Sequence, residues 1–287
     1  MNIKEVVNAL EKFAPLPLQE GFDNAGLQIG LTETHEVSGA LLCLDVTEKV
    51  VDEAIALGCN LIVSHHPLLF HALKRIDGSN DVQRTLVKAL KNDITVVSMH
   101  TNMDNATGGV NFKMAEKMGL TNMRFFGQRK EIVVSATTTG STEEPVEGTS
   151  QTEKVIGASG VIGVFEEPMD AMSFIQMLKR VFAVECVQAN QLLQRPIRQV
   201  AICGGAGAFM LGDAIAAGAD AFVTGEMHYH EYFDHEQEIQ IAVIGHYQSE
   251  QFTNEVFREI IEQNCPGVKC YLTKTVTNPI VYVELRL

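Results

Sequence analysis

The sequence has few basic side chains and no long apolar run. Its 287 residues include 22 Lys or Arg against 36 Asp or Glu, which gives a formal net charge of −14 at pH 7. Broad nucleic-acid or anionic-membrane surfaces need clustered Lys and Arg, so this balance argues against both classes. No apolar run approaches membrane-spanning length, and the N-terminal residues alternate charged with apolar side chains at helical spacing, unlike a signal peptide. We expect a cytoplasmic protein.

Cysteines are few and do not form a recognisable framework. Three of the six lie in apolar runs, and the full set is Cys43, Cys59, Cys186, Cys203, Cys265 and Cys270. Such scattered positions favour buried, reduced thiols over disulfides or a zinc site. The apolar share of 46% and the charged share of 20% are typical of a globular protein with a substantial core.

Strand and helix patterns alternate through the first 126 residues. Short apolar runs predict buried strands, amphipathic stretches predict helices, and Gly58 is positioned to end the first of these helices. The predicted strands are 40–44, 60–65 and 94–99, and the predicted helices are 47–57 and 81–91. Strands separated by helices imply parallel pairing and an α/β fold.

Two adjacent histidines, His65 and His66, end one of these strands and are followed by Pro67. Neighbouring side chains on extended chain point in divergent directions, so they serve two ions more easily than one. A satisfied pair of core histidines is the alternative, but two buried imidazoles rarely find partners without an ion. We therefore predict a dinuclear metal centre.

Two further pairs, His100 with Asp104 and His246 with Glu250, also follow apolar runs at a spacing of four residues. If a helix starts at His246, both members of the second pair share one face. If Ser249 caps the helix instead, His246 lies on the loop and Glu250 in the first turn. In either geometry Glu250 is the natural bridging group, since its two oxygens can each take an ion.

The catalytic candidates are less defined. Glu226, His228 and His230 follow another predicted strand and are either orienting residues and substrate contacts or polar residues of an exposed loop. His100 or His230 could shuttle protons, so the candidate catalytic residues are His100, Glu226 and His230. Two divalent ions with Asp104 and Glu250 leave the site positive, which would suit a small anionic substrate.

The strand–helix–strand unit recurs later in the chain. A shift of 160 positions aligns Cys43 with Cys203 and Gly58 with Gly218, although any two such units look alike. We predict a single domain of two related lobes, each a mostly parallel sheet with flanking helices, with the metal cleft between them. The predicted boundaries are 1–127 for lobe one, about 128–157 for a flexible insertion, and 158–287 for a linking segment and lobe two.

The motifs together resemble the Nif-three-like dinuclear metal centre family, also named GTP cyclohydrolase type-two homologues. They are Asp23-Asn-Ala-Gly-Leu-Gln-Ile-Gly30, Ser64-His-His-Pro67, His100-Thr-Asn-Met-Asp104, Gly204-Gly-Ala-Gly207, Thr224-Gly-Glu226 and Gly245-His-Tyr-Gln-Ser-Glu250. The resemblance implies that His66 and Asp104 hold one ion, His65 and His246 the other, and Glu250 bridges them. It also implies a toroidal homohexamer with its sites facing an internal cavity.

Two functions remain as hypotheses. The first is a dinuclear-metal-dependent hydrolase, with a guanine nucleotide as the substrate that the resemblance suggests. The second is a metal-binding scaffold, metal chaperone or regulatory protein without turnover. Histidines and carboxylates suit zinc, iron, manganese or nickel about equally, because availability usually decides which metal is bound.

Overall fold

Two separate β-sheets organise the computed structural model, which describes residues 1–30, 35–135 and 152–283. The helices are α1 (Ile3–Phe13), α2 (Glu48–Leu57), α3 (Asp81–Lys91), α4 (Thr101–Asp104), α5 (Val110–Met118), α6 (Ala171–Val181), α7 (Leu211–Ala216), α8 (His246–Glu250) and α9 (Thr253–Asn264). The strands are β1 (Gly26–Ile29), β2 (Ala40–Cys43), β3 (Leu61–Ser64), β4 (Thr95–Ser98), β5 (Thr121–Phe126), β6 (Lys130–Ser135), β7 (Thr152–Gly157), β8 (Gly160–Met169), β9 (Gln188–Ala189), β10 (Ile197–Cys203), β11 (Ala221–Thr224), β12 (Gln240–Val243) and β13 (Cys270–Leu272). Strands and helices alternate, which confirms the α/β class.

The first sheet has five strands in the order β1-β4-β3-β2-β13, and all neighbours are parallel except β1 and β4. Every residue of β2, β3 and β4 is buried. Helices α1 and α9 cover one face and α2 and α3 the other, so both faces of these strands must be apolar. Burial on both faces explains why these strands appear in the sequence as continuous apolar runs.

The second sheet has six strands in the order β5-β8-β10-β11-β12-β9. Only β10, β11 and β12 are parallel; β5, β8 and β9 pair antiparallel with their neighbours. The prediction of a mostly parallel sheet therefore holds for the three central strands and is wrong for the outer strands. The described residues between β5 and β8 contain no crossover helix, and antiparallel pairing does not need one.

The predicted flexible insertion has ordered ends. Strands β6 and β7 form an antiparallel ladder that pairs Lys130 with Gly157 at one end and Ser135 with Thr152 at the other. Ile132 and Val155 pack against the core of the first sheet, which explains why these flanks are ordered. The middle of the insertion, 136–151, lies outside the described residues, so the expected flexibility there stays a prediction.

The two sheets share a common central arrangement. Strands β3 and β11 lie 160 positions apart in the sequence, and the order β2-β3-β4 matches the order β10-β11-β12. Gly58 and Gly218 both adopt positive φ, at +70° and +74°. After α8 the chain returns to the first sheet, where α9 packs on α1 and β13 pairs with β2. The C-terminal part of the predicted lobe two, 158–287, therefore lies on the first sheet.

Helix boundaries follow capping residues of the sequence. Thr47 accepts a hydrogen bond from Val50 N at 3.3 Å at the start of α2, and Gly58 ends that helix in the left-handed region. The predicted helices 47–57 and 81–91 differ from α2 and α3 by at most one residue. Within the described part of the chain, no helix has both the length and the apolarity to cross a membrane.

Candidate metal centre

Four histidines follow the carboxyl ends of parallel strands. His65 and His66 come directly after β3, His100 follows β4, and His246 follows β12 of the other sheet. The ring centroid of His66 lies 5.3 Å from that of His100 and 5.2 Å from that of His246. The carboxyl edges of the two sheets therefore meet at one cluster, where ligand sites of α/β proteins form.

Helix α8 begins at His246 and ends at Glu250, which brings both side chains to one face. The structure thus adopts the first of the two predicted geometries. Ser249 does not cap a helix; its buried hydroxyl donates to His246 O at 2.7 Å and accepts from Gly205 N at 2.9 Å. Gly245, at φ +95°, makes the turn from β12 into α8.

Each histidine of the cluster has its Nδ1 atom held by an oxygen. The buried His65 ring donates from Nδ1 to the carbonyl of Met99 at 2.9 Å. The other three Nδ1 atoms contact carboxylates: His66 with Asp45 at 2.7 Å, His100 with Asp23 at 2.7 Å and His246 with Glu226 at 3.0 Å. With its proton at Nδ1, each ring keeps the Nε2 lone pair free, which is how metal-ligating histidines are usually oriented.

The Nε2 atoms converge on two carboxylates. Glu250 Oε2 lies 3.0 Å from His66 Nε2 and 3.1 Å from His246 Nε2, while its Oε1 lies 3.7 Å from His65 Nε2. Asp104 Oδ1 is 3.6 Å from His65 Nε2. Three sets have ligand atoms within 4.8 Å of one another: His65, His66 and His100; His66, His246 and Glu250; His65, Asp104 and Glu250.

The charges of this cluster balance only with added positive charge. Burial raises the pKa of Asp104 well above its usual range, and the charge of Glu250 raises it further. Burial also acts to raise the pKa of Glu250, but His65 and His246 outweigh it and hold that pKa well below its usual range. Burial acts to lower the pKa of His66, yet the carboxylates of Asp45 and Glu250 in contact with the ring raise it to about 10. Protons on imidazoles or metal ions can supply the positive charge.

Two buried atoms of the cluster, His65 Nε2 and Glu250 Oε2, make no regular hydrogen bond among the described residues, although His66 Nε2 and His246 Nε2 lie 3.0 and 3.1 Å from Glu250 Oε2. Burial lowers the pKa of His65, which favours the neutral ring, and a neutral ring that donates from Nδ1 to Met99 carries a lone pair on Nε2. A buried lone pair directed at carboxylates is unfavourable unless a cation lies between them. Imidazole and carboxylate together suit divalent transition metals, so these residues fit metal ions.

The distances group the ligands differently from the pairing that the resemblance implies. His65 faces Glu250 Oε1 and also contacts Asp104, whereas His66 and His246 face Glu250 Oε2. The resemblance pairs His66 with Asp104 and His65 with His246. Glu250 lies between the two groups in either case, as a bridging ligand must.

Gly205 brings the main chain against Glu250. Its φ is +57°, and a Cβ at this position would overlap Glu250 Oε1. The absence of a side chain at Gly205 therefore permits both its positive φ and the close approach of the main chain to Glu250. Gly225 is equally crowded, because a Cβ there would meet Gly205 O and Ser249 Oγ.

The catalytic candidates have different positions. Glu226 holds Nδ1 of His246, which makes it an orienting residue, and His100 lines the cavity beside the cluster. His230 does not reach the cluster; its ring stacks on Phe233 on an exposed turn. His228 is exposed at the start of the same turn, which matches the alternative of an exposed polar loop.

Sequence reasoning missed Asp45 and Asp23 as orienting groups. Asp45 follows β2 and so carries the same strand-end signal as the histidines. Asp23 has a fully buried side chain that also accepts from Thr101 N at 3.0 Å. Burial acts to raise the pKa of Asp23, but hydrogen bonds from His100 and Thr101 lower it to about 2.

A cavity of about 640 Å³ opens beside the cluster, and His100, Asp104, His246 and Glu250 form part of its wall. Phe22 and Phe209 also line it, and each has 68% of its side chain exposed. The only lining Lys or Arg among the described residues is Lys130, whose ammonium contacts Glu20 at 2.7 Å. The cavity is large enough for a small organic molecule.

The two facing sheets and the cluster at their carboxyl edges define a class of α/β proteins with a candidate multinuclear metal centre. The chain belongs to the Duf34/NIF3 (NGG1p interacting factor 3) family, whose profile matches residues 1–279. This confirms the family resemblance of the motifs.

Curated and structural relatives agree with this membership. A Clostridium perfringens protein named "GTP cyclohydrolase 1 type 2 homolog" is 31% identical over 285 residues, which cover 99% of this chain and 100% of that protein. The crystal structure of a Bacillus cereus protein related to NIF3 matches with a TM-score of 0.80 and 28% identity, covering 99% of each chain. Staphylococcus aureus SA1388 matches with a TM-score of 0.84 and 26% identity, also covering 99% of each chain.

Proposed function

We propose that this protein is a dinuclear-metal-dependent hydrolase of small molecules. The observation that carries the proposal is the clustering of four histidines and two carboxylates, of which His100, Asp104, His246 and Glu250 form part of the wall of a cavity of about 640 Å³. A purely structural metal site is closed by protein ligands, whereas a catalytic one keeps an open side. The cavity supplies that open side, which favours the hydrolase over the scaffold or chaperone.

The residues that would hold two divalent ions are His65, His66, Asp104, His246 and Glu250, with Glu250 shared. Zinc, iron, manganese and nickel all suit these donors. When bound, such ions supply Lewis-acid polarisation of an electrophilic substrate group and of water. Asp45, Glu226 and the carbonyl of Met99 keep the ligand rings oriented, so the protein's own contribution is a preorganised site.

His100 is the proposed proton acceptor. Its Nδ1 is fixed by Asp23 at 2.7 Å, so Nε2 is free to take a proton from a nucleophilic water. Asp23 stays ionised because its pKa is lowered to about 2, and its charge stabilises the imidazolium that results. Thr101 fixes the other oxygen of Asp23 through its backbone N–H at 3.0 Å.

His100→Gln tests this role. We expect kcat to fall about 100-fold or more, the usual contribution of a positioned general base. Metal content should stay unchanged. Loss of metal in this variant would show that His100 is a ligand instead, since its ligand atom also lies within 4.8 Å of those of His65 and His66.

A planar ring is the proposed recognition element of the substrate. Phe22 and Phe209 are exposed at the cavity wall, where aromatic faces can stack on a heterocycle. A guanine nucleotide fits this chemistry, and it is also the substrate suggested by the name of the Clostridium perfringens relative. The ammonium of Lys130 is already bonded to the carbonyls of Leu18 and Gln19, so most of the attraction for phosphate would come from the ions.

The direct test uses purified protein loaded with zinc, manganese, iron or nickel. GTP, cyclic amides and phosphoesters are assayed, and Phe209→Ala is the matched cavity variant. We expect turnover of at least one class and a raised KM in the Phe209→Ala protein with its metal content unchanged. Absence of turnover with every substrate, together with tight metal retention, would favour the scaffold.

We also propose that the protein assembles as a toroidal homohexamer in the cytoplasm. Val276, Ile280, Val281 and Val283 are exposed in the C-terminal segment, and apolar side chains so exposed favour contact with another copy. All six cysteines are free, as expected in a reducing compartment. Light scattering of the purified protein measures the assembly directly.

A further inference from the structure

The segment after β13 runs in extended form along the first sheet toward the metal centre. Its residues alternate between partly buried and exposed from Tyr271 to Thr277, as an extended chain on a surface does. The partly buried threonines make specific contacts. Thr273 Oγ1 donates to Glu53 at 2.6 Å and Thr275 Oγ1 donates to the same carboxylate at 2.7 Å.

The third threonine of this face reaches the centre itself. Thr277 Oγ1 donates to Asp45 Oδ2 at 2.5 Å, and Asp45 Oδ1 contacts His66 Nδ1 at 2.7 Å. On its other side the His66 ring presents Nε2 to Glu250 Oε2 at 3.0 Å. One carboxylate thus joins the C-terminal segment to a ligand of the centre, and each of its oxygens has a different partner.

The geometry of Asp45 depends on both partners. Its side chain is 34% exposed, so packing alone does not fix the carboxylate plane. A hydroxyl bonded to Oδ2 fixes that plane and keeps Oδ1 opposite His66 Nδ1. Without the hydroxyl the carboxylate can rotate toward water, and the ring then loses the group that sets its tautomer and direction.

The same segment also approaches the other side of the centre. Ile280 and Tyr282 line a second cavity of about 430 Å³, whose wall includes His246 and its partner Glu226. The C-terminal segment therefore contacts Asp45, the partner of His66, and shares a cavity wall with His246 and Glu226 of the second sheet.

We propose that Thr277 is a positioning residue for the metal centre, which acts through Asp45 on His66 and links docking of the C-terminal segment to metal retention. This inference rests on the proposed metal centre, and it adds the residue that controls how firmly the centre holds its ions.

The experiment compares four full-length variants loaded with zinc. Thr277→Val removes the hydroxyl at nearly constant volume, and Thr277→Ser restores it. Thr275→Val is the matched control, because it removes the same kind of bond from the same segment without touching Asp45. Asp45→Asn provides the reference for loss of the carboxylate charge. The measured quantities are zinc affinity in competition with a chromogenic chelator, the rate of zinc release, and the melting temperature.

We expect Thr277→Val to weaken zinc binding about tenfold, because it loosens the carboxylate that supports a ligand ring. Its zinc affinity should therefore approach that of Asp45→Asn. Thr277→Ser and Thr275→Val should bind zinc as the unmodified protein does. Equal zinc affinity in Thr277→Val and the unmodified protein would overturn the inference. So would equal losses in Thr275→Val and Thr277→Val, since general docking of the segment would then explain the effect.

The outcome is separable from that of the proposed function. If the protein binds zinc but hydrolyses nothing, the hydrolase is rejected while the order of zinc affinities still decides the role of Thr277. If the unmodified protein binds no zinc, the inference is rejected together with the metal centre.

Discussion

At the scale of single residues, the two oxygens of Glu250 connect ligands from both sheets. Oε1 faces His65, whose strand lies in the first sheet, and Oε2 faces His246 from the second. A carboxylate can divide its charge between two cations, whereas an amide offers one acceptor oxygen and two hydrogens. The chemistry of this one side chain therefore decides how many ions the cluster can hold.

Glu250→Gln is expected to reduce bound metal to one equivalent or less. Removing the bridging charge leaves two cations repelling each other. Asp104→Asn should remove metal mainly from one of the two ion sites. His228 is exposed, so His228→Ala should leave the metal content unchanged. Plasma emission spectrometry of the purified variants measures this, and two full equivalents in Glu250→Gln would rule out the bridging role.

Gly205→Ala is expected to displace Glu250 and lose metal. The new Cβ would overlap Glu250 Oε1, and the φ of +57° adds backbone strain of about 1 kcal/mol. Gly58→Ala is the matched control, because its φ is +70° and a Cβ there meets nothing within 4 Å. Both variants should melt at lower temperature, but only Gly205→Ala should lose metal. Equal metal content in the two would contradict the proposed contact.

The residues of the candidate cluster were predictable from sequence, but the groups that contact their Nδ1 atoms were not. His65, His66 and His246 follow apolar runs that read directly as strand ends. Their partners depend on folding: Asp23 lies 77 residues from His100 and Asp45 lies 21 residues from His66. A carboxylate at a strand end has many potential partners, and only the packing of the sheets selects one.

At the scale of elements, the carboxyl ends of the strands carry the candidate site, and the opposite ends carry contacts that stabilise the sheet. Asp220 lies just before β11 and ties that strand to β10, because it accepts from Arg198 N at 2.9 Å and from Gln199 N at 2.8 Å. Arg195 also contacts its carboxylate. Buried strands and their helices were predicted to within a few residues, since local periodicity and caps define them. The antiparallel outer strands of the second sheet were not, because pairing direction depends on long-range contacts.

Asp220→Asn is expected to cost about 1.5–3 kcal/mol of unfolding free energy at pH 7, the usual value for hydrogen bonds to a charged group. Burial acts to raise the pKa of Asp220, but the bonds from Gln199, Arg198 and Arg195 lower it. The stabilisation is therefore fully present above the unfolded pKa of about 4 and is lost as pH falls through the lower folded value.

Urea unfolding at pH 7 and at pH 3.5 measures this difference. The difference in unfolding free energy between Asp220→Asn and the unmodified protein should be smaller at the lower pH. Asp52→Asn serves as the control, because Asp52 is an exposed residue whose ion pair within the described part of the chain is with Lys88, and its loss should change stability less. A gap that grows as pH falls would contradict the assignment.

At the scale of the whole molecule, the centre joins two independently packed sheets. The first sheet has its own hydrophobic clusters and so has the second, and the ligands at their facing edges come from both. Ions that bind this cluster stabilise the folded arrangement relative to the unfolded chain. None of the exposed apolar side chains of the C-terminal segment is itself a proposed ligand, so their contact with another copy does not require bound metal.

Metal removal is therefore expected to lower the melting temperature without dissociating the proposed hexamer. Ligand at 1,000 times its Kd contributes about 4 kcal/mol to stability, so dialysis against a chelator should shift the melting temperature by several degrees. Restoring zinc should reverse the shift, and Glu250→Gln should respond less because it holds fewer ions. Scanning calorimetry with light scattering measures both properties on the same samples. Dissociation to monomers on metal removal would show that the ions hold the assembly together, which would make the centre structural and weaken the case for a hydrolase.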